Sequence, residues 1–162
     1  MRVVSRITIH VFPLLLMGCF AYTIRVTPQA PSGGAGGRDQ TQMAEVVAAT
    51  AEVAHSFGLK EHPDLAFIQK HSAESDVYEY SIVADFTREP DAETQYGGVI
   101  LWVGAHKRTG QLAVVIRDLR HGSHTAFTRD LENAVVKALQ VRFPSQVVSV
   151  EREWEGPILL AP

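Results

Sequence analysis

Two stretches of the chain carry apolar residues at the spacing of an amphipathic helix. The first begins near Asp39; Gly58 follows it as the left-handed residue that commonly ends a helix, and Leu59 is placed to pack back on the last turn. The second begins after residue 124 and ends before Pro144, and Glu132 falls on its outward side. We therefore predict two helices, each with one face to bury. Their apolar stripes consist of Met43, Val46, Val47, Thr50, Val53 or Ala54 and Phe57, and of Phe127, Leu131, Ala134, Val135, Ala138 and Leu139.

Between and after these helices the pattern changes to that of β-strands. Residues 78–86 alternate apolar and polar positions, which predicts a half-buried strand. Residues 99–105 and 112–116 are nearly continuous apolar runs joined by a short turn, which predicts a hairpin in the middle of a sheet. A last strand is predicted over residues 147–154, and residues 60–76 are predicted to form a turn-rich connection. The alternation places Tyr78, Tyr80, Ile82, Ala84 and Phe86 on one face of the first strand, and Glu151 and Glu153 on the outward face of the last.

The predicted order of elements is helix, three strands, helix, strand. Two hairpins make the first and third strands parallel, and the helical crossover makes the fourth strand run in the same direction. We predict an α+β fold, a two-layer sandwich in which a four-stranded mixed sheet carries both helices on one face. Residues 39–162 form the single predicted domain.

The segment before this domain has the composition of a linker. From residue 27 to residue 38 it is rich in Pro, Gly, Ser, Ala and Gln, and no Gly-Lys-Ser/Thr follows the glycines to make a phosphate-binding loop. We predict that residues 19–38 are a flexible tether that plays no part in the fold.

The N-terminus has the organisation of an export signal. Arg2 and Arg6 precede a short apolar run that ends in Leu16-Met17-Gly18-Cys19, and this run is too short to cross a bilayer. The four residues resemble the lipobox of bacterial lipoproteins, and the resemblance covers residues 1–19 only. It implies that residues 1–18 are a signal peptide, that cleavage falls before Cys19, and that Cys19 carries the lipid. It also implies a place in the cell envelope, on the periplasmic face of the outer membrane in a Gram-negative cell, because Phe20 and not aspartate follows the cysteine.

Two other interpretations of this segment stay open. Residues 7–24 could form an uncleaved anchor helix, although His10 and Pro13 interrupt it. Cys19 could also be an ordinary buried apolar residue. Both the lipoprotein and the anchor helix place the domain outside the cytoplasm and tie it to a membrane.

Composition and charge narrow the function classes. The chain has 162 residues, 46% of them hydrophobic and 20% charged, with a formal net charge of −3, which suits one globular domain. An acidic chain without a basic cluster is a poor candidate for nucleic-acid binding. Cys19 is the single cysteine, so no disulfide and no cysteine metal site is expected within the chain.

His121 and His124 are the local pair of residues best suited to metal binding or acid–base chemistry. Asp118 and Ser123 lie beside them, so half a zinc site or a Ser–His–Asp site could be built there. Helix capping explains the same stretch, because Ser123 and Thr125 occupy positions where caps are expected. We therefore predict no catalytic residue, metal or cofactor, and we expect Trp102 and Trp154 to fill the core.

The predicted function is a membrane-tethered lipoprotein whose small domain binds or scaffolds a protein partner in the cell envelope. The alternative is an envelope hydrolase or metal-binding protein that works through His121 and His124.

Overall fold

The computed structural model describes residues 21–29, 40–88, 98–118 and 125–155, and every statement on structure concerns these ranges. The helices and strands in chain order are β1 (Ala21–Gln29), α1 (Gln40–Ser56), β2 (Lys60–Glu61), α2 (Leu65–Glu74), β3 (Tyr80–Thr87), β4 (Val99–His106), β5 (Leu112–Asp118), α3 (Ala126–Arg142) and β6 (Val147–Glu155). The α+β class predicted from the sequence is confirmed.

The strands form one antiparallel sheet in the order β2-β3-β4-β5-β1-β6. The predicted four-stranded mixed sheet is wrong, because β1 lies between β5 and β6 and β2 adds a short edge strand. As expected, β6 runs in the same direction as β5. It does not pair with β5, because β1 occupies the position between them and runs the opposite way.

The predicted tether is therefore wrong for residues 21–29. Arg25 in the middle of β1 lies opposite Val115 of β5 on one side and Glu151 of β6 on the other. The β-branched residues around it, Thr23, Ile24 and Val26, favour a strand. Pro28 lies beyond the end of the pairing with β5 and is opposite Val148 of β6 only, so its missing N–H does not remove a hydrogen bond to β5. The domain thus includes residues before Asp39; the predicted signal peptide over residues 1–18 and the rest of the predicted tether lie outside the described residues.

Helices α1 and α3 pack against each other over one face of the sheet, where they form the hydrophobic core. The sheet contributes the fully buried Leu101, Val103, Val114 and Ile116. The predicted end of α1 is confirmed: Gly58 has a φ of 75°, the Leu59 N–H donates to the Ala54 carbonyl at 2.9 Å, and Leu59 is buried. The predicted cap of α3 is confirmed as well, because the Thr125 side chain accepts a hydrogen bond from the Thr128 N–H.

Glu132 of α3 is buried, although the helical pattern placed it outward. Its side chain is 4% exposed and forms an ion pair with Arg152 of β6, in which Arg152 Nε donates to Glu132 Oε2 at 3.1 Å and Arg152 Nη2 donates to Glu132 Oε1. A paired acid can be buried where an unpaired one could not. This pair joins α3 to the last strand of the sheet.

Helix α2 lies on the opposite face of the sheet, against β3. The predicted turn-rich connection over residues 60–76 is therefore wrong, and the two-layer arrangement with both helices on one face accounts only for α1 and α3. The sequence signal for α2 is weak because Ser72, a polar residue, is its buried residue. Side-chain bonds to the sheet, described below, hold this helix in place.

Candidate functional site

A β-bulge in β3 divides that strand into two parts that face opposite ways. The pairing with β4 runs from Ile82 opposite Gly104 to Ala84 opposite Val103, which leaves Val83 as the extra residue. One extra residue moves every following side chain to the other face. Tyr80 and Ile82 therefore lie on the α2 face, whereas Ala84 and Phe86 lie in the core. The prediction that they share one face is wrong.

Helix α2 supplies the hydrogen bonds that the bulged strand needs. The Ile82 N–H donates to Ser72 Oγ at 2.9 Å, and Gln69 Nε2 donates to the Val83 carbonyl at 2.8 Å. Just before the helix, the His62 N–H donates to the Asp85 carbonyl at 2.9 Å. These bonds satisfy an exposed strand edge and fix α2 over the sheet.

A cleft of about 220 Å³ lies between α2 and the sheet, and we call it the α2 cleft. Its helical side contains Ile68 and Ser72, and its floor is formed by Ile82, Asp85, Ile100 and Arg117. Four aromatic side chains complete the lining and are called the aromatic wall: Phe67, His71, Tyr78 and Trp102.

Three members of the aromatic wall, Phe67, His71 and Tyr78, contact one another in sequence through their rings, and Trp102 contacts the ring of Tyr80. Phe67 and His71 stack with a centroid distance of 5.5 Å, and His71 meets Tyr78 edge-on at 5.7 Å. Phe67 is 67% exposed and Tyr78 is 43% exposed, which is unusual for large apolar rings. Exposed rings that line a concave surface are typical of a place where a ligand packs.

Trp102 belongs to this cleft and not to the core, so the expectation that it fills the core is wrong. It lies on the sheet face opposite Leu101 and Val103, and its ring lies across Gly104. A Cβ at Gly104 would be 2.9 Å from Cζ3 of the Trp102 ring, so only glycine leaves room for it. For Trp154 the structure gives the backbone pairing with Tyr22 only.

Asp85 is the buried acid of the cleft. It is 6% exposed, and no described residue forms a hydrogen bond with its Oδ1 atom. Burial raises the pKa of Asp85 from 3.8 to about 6, and the nearby His62 opposes the rise. The alternation over residues 78–86 places Asp85 on the polar face of the strand, which predicts exposure to solvent. The structure buries Asp85 because α2, whose sequence signal is weak, lies over that face.

Arg25 forms a separate ionic cluster farther along the same face. Its Nη1 atom lies 3.1 Å from Glu151 Oε2 and 3.9 Å from Glu153 Oε1, and its guanidinium lies 5.7 Å from the centroid of the Tyr80 ring. Glu151 and Glu153 do point the same way, as the alternation predicted. They share Arg25, which favours a structural ion cluster over a pair of catalytic acids.

The residues singled out from the sequence are mostly beyond what the structure describes. Cys19, His121, Ser123 and His124 lie outside the described residues. Asp118 ends β5 and is buried. His106 stands at the opposite end of the β4–β5 hairpin, where its Nδ1 atom accepts a hydrogen bond from the Thr109 N–H and so caps the turn.

A groove between α1 and α3 has the larger volume, about 380 Å³, but it has a simpler explanation. Ala48, Ala49, Ala134 and Ala138 line it, and small residues let two helices approach closely. Of its described lining atoms, no buried polar one lacks a hydrogen bond. We therefore assign this groove to helix packing.

Neither a metal site nor a membrane-spanning helix is found in the part of the chain that the structure describes. Within the described ranges, no three His, Cys, Asp or Glu side chains are grouped to hold a metal ion, and no helix has the length and hydrophobicity to cross a membrane. No protein-family model, curated protein or solved structure matches the chain.

Proposed function

We propose that this protein is a lipid-anchored binding protein of the cell envelope, attached to the membrane through Cys19 and binding its ligand in the α2 cleft. The observation that carries the binding role is Asp85, a buried carboxylate at the base of a cleft with aromatic walls, whose Oδ1 atom has no hydrogen-bond partner among the described residues. Concave sites with apolar walls and a few polar groups are where small ligands bind. The Ser72 hydroxyl of the cleft donates to the Gln69 carbonyl and accepts from the Ile82 N–H, so it is held by backbone groups and not by a base, which favours binding over catalysis.

The position of β1 supports lipid attachment over an uncleaved anchor helix. Residues 21–24 pair with β6, so they are not available to a membrane helix over residues 7–24. Residues 7–20 would remain, and 14 residues of helix reach roughly 21 Å, short of a hydrocarbon core of about 30 Å. A lipidated Cys19 needs no span, because two or three acyl chains anchor a protein stably.

With a lipid on Cys19, the same strand would hold the domain close to the bilayer. Only Phe20 lies between Cys19 and β1, so one residue, and not a long tether, would connect the lipidated cysteine to the domain. Thr23 of β1 lies opposite Arg117, which lines the α2 cleft. Four residues of extended chain span roughly 13 Å, so a lipid on Cys19 would hold the Arg117 end of the cleft within about this distance of the attachment point.

The alternative function, hydrolysis or metal binding through His121 and His124, stays a prediction, because both residues lie outside the described ranges. A convergence of His106 on His121 would have favoured it. His106 instead stands at the end of β4 that is distant from Asp118, about 20 Å away by the rise of a strand. The described residues therefore give this alternative no added support.

Mass spectrometry of the protein extracted from membranes tests the anchor. We expect a mature N-terminus at Cys19 that carries acyl chains, and we expect Cys19→Ser to remain unprocessed while its domain stays folded. An intact N-terminus with an unmodified cysteine would instead establish the anchor helix.

Nuclear magnetic resonance tests the cleft. The full chain, solubilised in detergent, is titrated with a set of small aromatic compounds that are cationic, neutral or anionic, while the indole N–H signals are followed. We expect at least one class to shift the Trp102 signal in a saturable way and to leave that of Trp154, in β6, unchanged. If no compound moves the Trp102 signal, the α2 cleft is not a binding site and the proposal fails.

A further inference from the structure

We propose that the ligand of the α2 cleft is a small organic amine, bound as the ammonium ion by the Asp85 carboxylate with its organic part packed on the aromatic wall. This inference rests on the proposed binding role of the cleft and names the chemical class of its ligand. Nothing else described in the cleft supplies a partner for the carboxylate oxygen.

The first argument is the unsatisfied hydrogen-bonding capacity of Asp85. An ionised carboxylate has only acceptor sites, and burial without a donor is unfavourable. Asp85 is 6% exposed, and among the described residues no donor reaches Oδ1. An ammonium group has three donors and a positive charge, so it satisfies both the hydrogen bond and the charge at once.

The second argument is the surface next to the carboxylate. Asp85 lies directly opposite Trp102 in the pairing of β3 with β4, and residues so placed have Cβ atoms about 4.5–5.5 Å apart. The faces of aromatic rings attract cations within about 6 Å, and tryptophan does so most strongly. A buried acid beside tryptophan is the combination that recognises an organic cation.

Arg117 limits which cations fit. Its guanidinium already supplies one positive charge to the cleft. Asp85 can neutralise one ammonium group, whereas a second positive charge on the ligand would face Arg117. Arg117 already interacts with another group of the protein, so an anionic ligand would gain little from it and would be repelled by Asp85. The site therefore suits a molecule with one ammonium group, and it disfavours diamines and simple carboxylates.

The volume of the cleft sets the size of the ligand. About 220 Å³ equals the space of roughly seven water molecules at ~30 Å³ each. An amine with one aromatic ring or a short aliphatic body is of this size. Longer molecules would extend past Phe67 and Tyr78, whose exposed rings form the outer part of the wall.

The experiment compares matched probes on the full chain in detergent. Phenethylamine, 2-phenylethanol, phenylacetate and a diamine of similar length are titrated while the Trp102 indole signal is followed. We expect phenethylamine to bind about 10- to 100-fold more tightly than the alcohol, because both can donate a hydrogen bond to the carboxylate but only the ammonium group also pairs with its charge. Asp85→Asn should remove that preference, whereas Asp76→Asn, an exposed acid outside the cleft, should keep it.

The pH dependence of binding gives a second readout. The amine stays protonated between pH 5 and 7, whereas Asp85 loses its charge as the pH falls through about 6, so the affinity should drop roughly tenfold over this range. The other charged or titratable groups that face Asp85 are His62 before α2, His71 on α2 and Arg117 on β5. Asp85→Asn isolates the contribution of this carboxyl group, because the pH dependence that is lost in the variant is the part that Asp85 supplies.

The outcomes distinguish this inference from the proposed function. If the alcohol or the carboxylate binds as tightly as the amine and shifts Trp102, the cleft is a binding site but the amine assignment is overturned. If the four probes all leave the Trp102 signal in place, the cleft holds only water and both proposals fail. If the amine preference survives in Asp85→Asn, the carboxylate is not its receptor and the inference is wrong.

Discussion

Replacing Asp85 with asparagine should stabilise the protein at neutral pH. Asparagine keeps the shape of aspartate and carries no charge. The substitution therefore removes the unfavourable free energy of burying an anion beside the aromatic wall. Buried acids that lack a partner are tolerated chiefly where binding needs them, and removing them commonly raises stability. The substitution should therefore make the fold more stable while it weakens amine binding.

The magnitude follows from the pKa of the carboxyl group. Burial raises the pKa of Asp85 from 3.8 to about 6, against the smaller opposing effect of His62, so the folded chain binds this proton more tightly than the unfolded chain does. The wild-type free energy of unfolding therefore decreases as the pH rises from about 4 to 6 and receives no further change from Asp85 above that. A difference of about two pH units corresponds to about 3 kcal/mol. Asp85→Asn should gain up to this amount at pH 7 and close to nothing at pH 4.

Urea denaturation of the wild type and the variant at pH 4, 5, 6 and 7 measures this difference. A gain of this size at pH 7 also corresponds to a rise of roughly 6–12 °C in the melting temperature of a domain of this length. Asp76→Asn is the matched control, because Asp76 is exposed in the turn before β3. An equal effect of Asp85→Asn at all four pH values, or a loss of stability at pH 7, would refute the argument from a buried charge.

Three further predictions concern the architecture. A fragment of residues 20–162 should fold, whereas one of residues 39–162 should not, because it lacks β1; circular dichroism and thermal denaturation distinguish them, and a cooperative transition in the shorter fragment would show that β1 is dispensable. Glu132→Ala should lower the free energy of unfolding by about 1.5–3 kcal/mol through the loss of the buried bonds to Arg152, and urea denaturation would show a change near zero if the pair were unimportant. Deleting residues 157–162, which lie outside the described ranges, should lower the melting temperature if the apolar tail covers its own domain; an unchanged melting temperature with loss of an envelope partner in a pull-down would make it a docking segment.

The parts of the fold that the sequence predicts correctly are those with local causes. The end of α1 depends on Gly58 and Leu59, which act within one turn of the helix. The cap of α3 depends on Thr125, whose side chain accepts a hydrogen bond from the N–H of Thr128, three residues later. The β4–β5 hairpin depends on two apolar runs joined by a short turn. Each of these signals lies within a few residues of the structure that it produces.

The parts that the sequence does not predict depend on distant partners. β1 lies in a segment whose composition resembles a linker, and its partners β5 and β6 come about a hundred residues later. α2 has little apolar stripe, because Ser72 and Gln69 hold it through bonds to a bulge in another element. The sequence pattern predicts that Glu132 is exposed, because it does not show that Arg152 lies beside it in the folded chain.

The candidate site was missed for a related reason. The alternation in residues 78–86 is regular, and nothing in it marks Val83 as the extra residue of a bulge. Without the bulge, Tyr80 and Ile82 are assigned to the core, and no cleft forms next to Asp85. A one-residue irregularity therefore decides which side chains meet a ligand.

The position of β1 between β5 and β6 also determines when the fold can be completed. Arg25 and Glu151, which lie opposite each other in the sheet, are 126 residues apart in the chain. At a synthesis rate of about 5–20 residues per second, they emerge roughly 6–25 s apart. Until β5 emerges, about 90 residues after Arg25, β1 has neither of its partners, and both of its edges can pair with other chains. We therefore expect the nascent protein to depend on a holding factor until β6 has emerged, and to fold more slowly than a domain of the same size with local strand pairing.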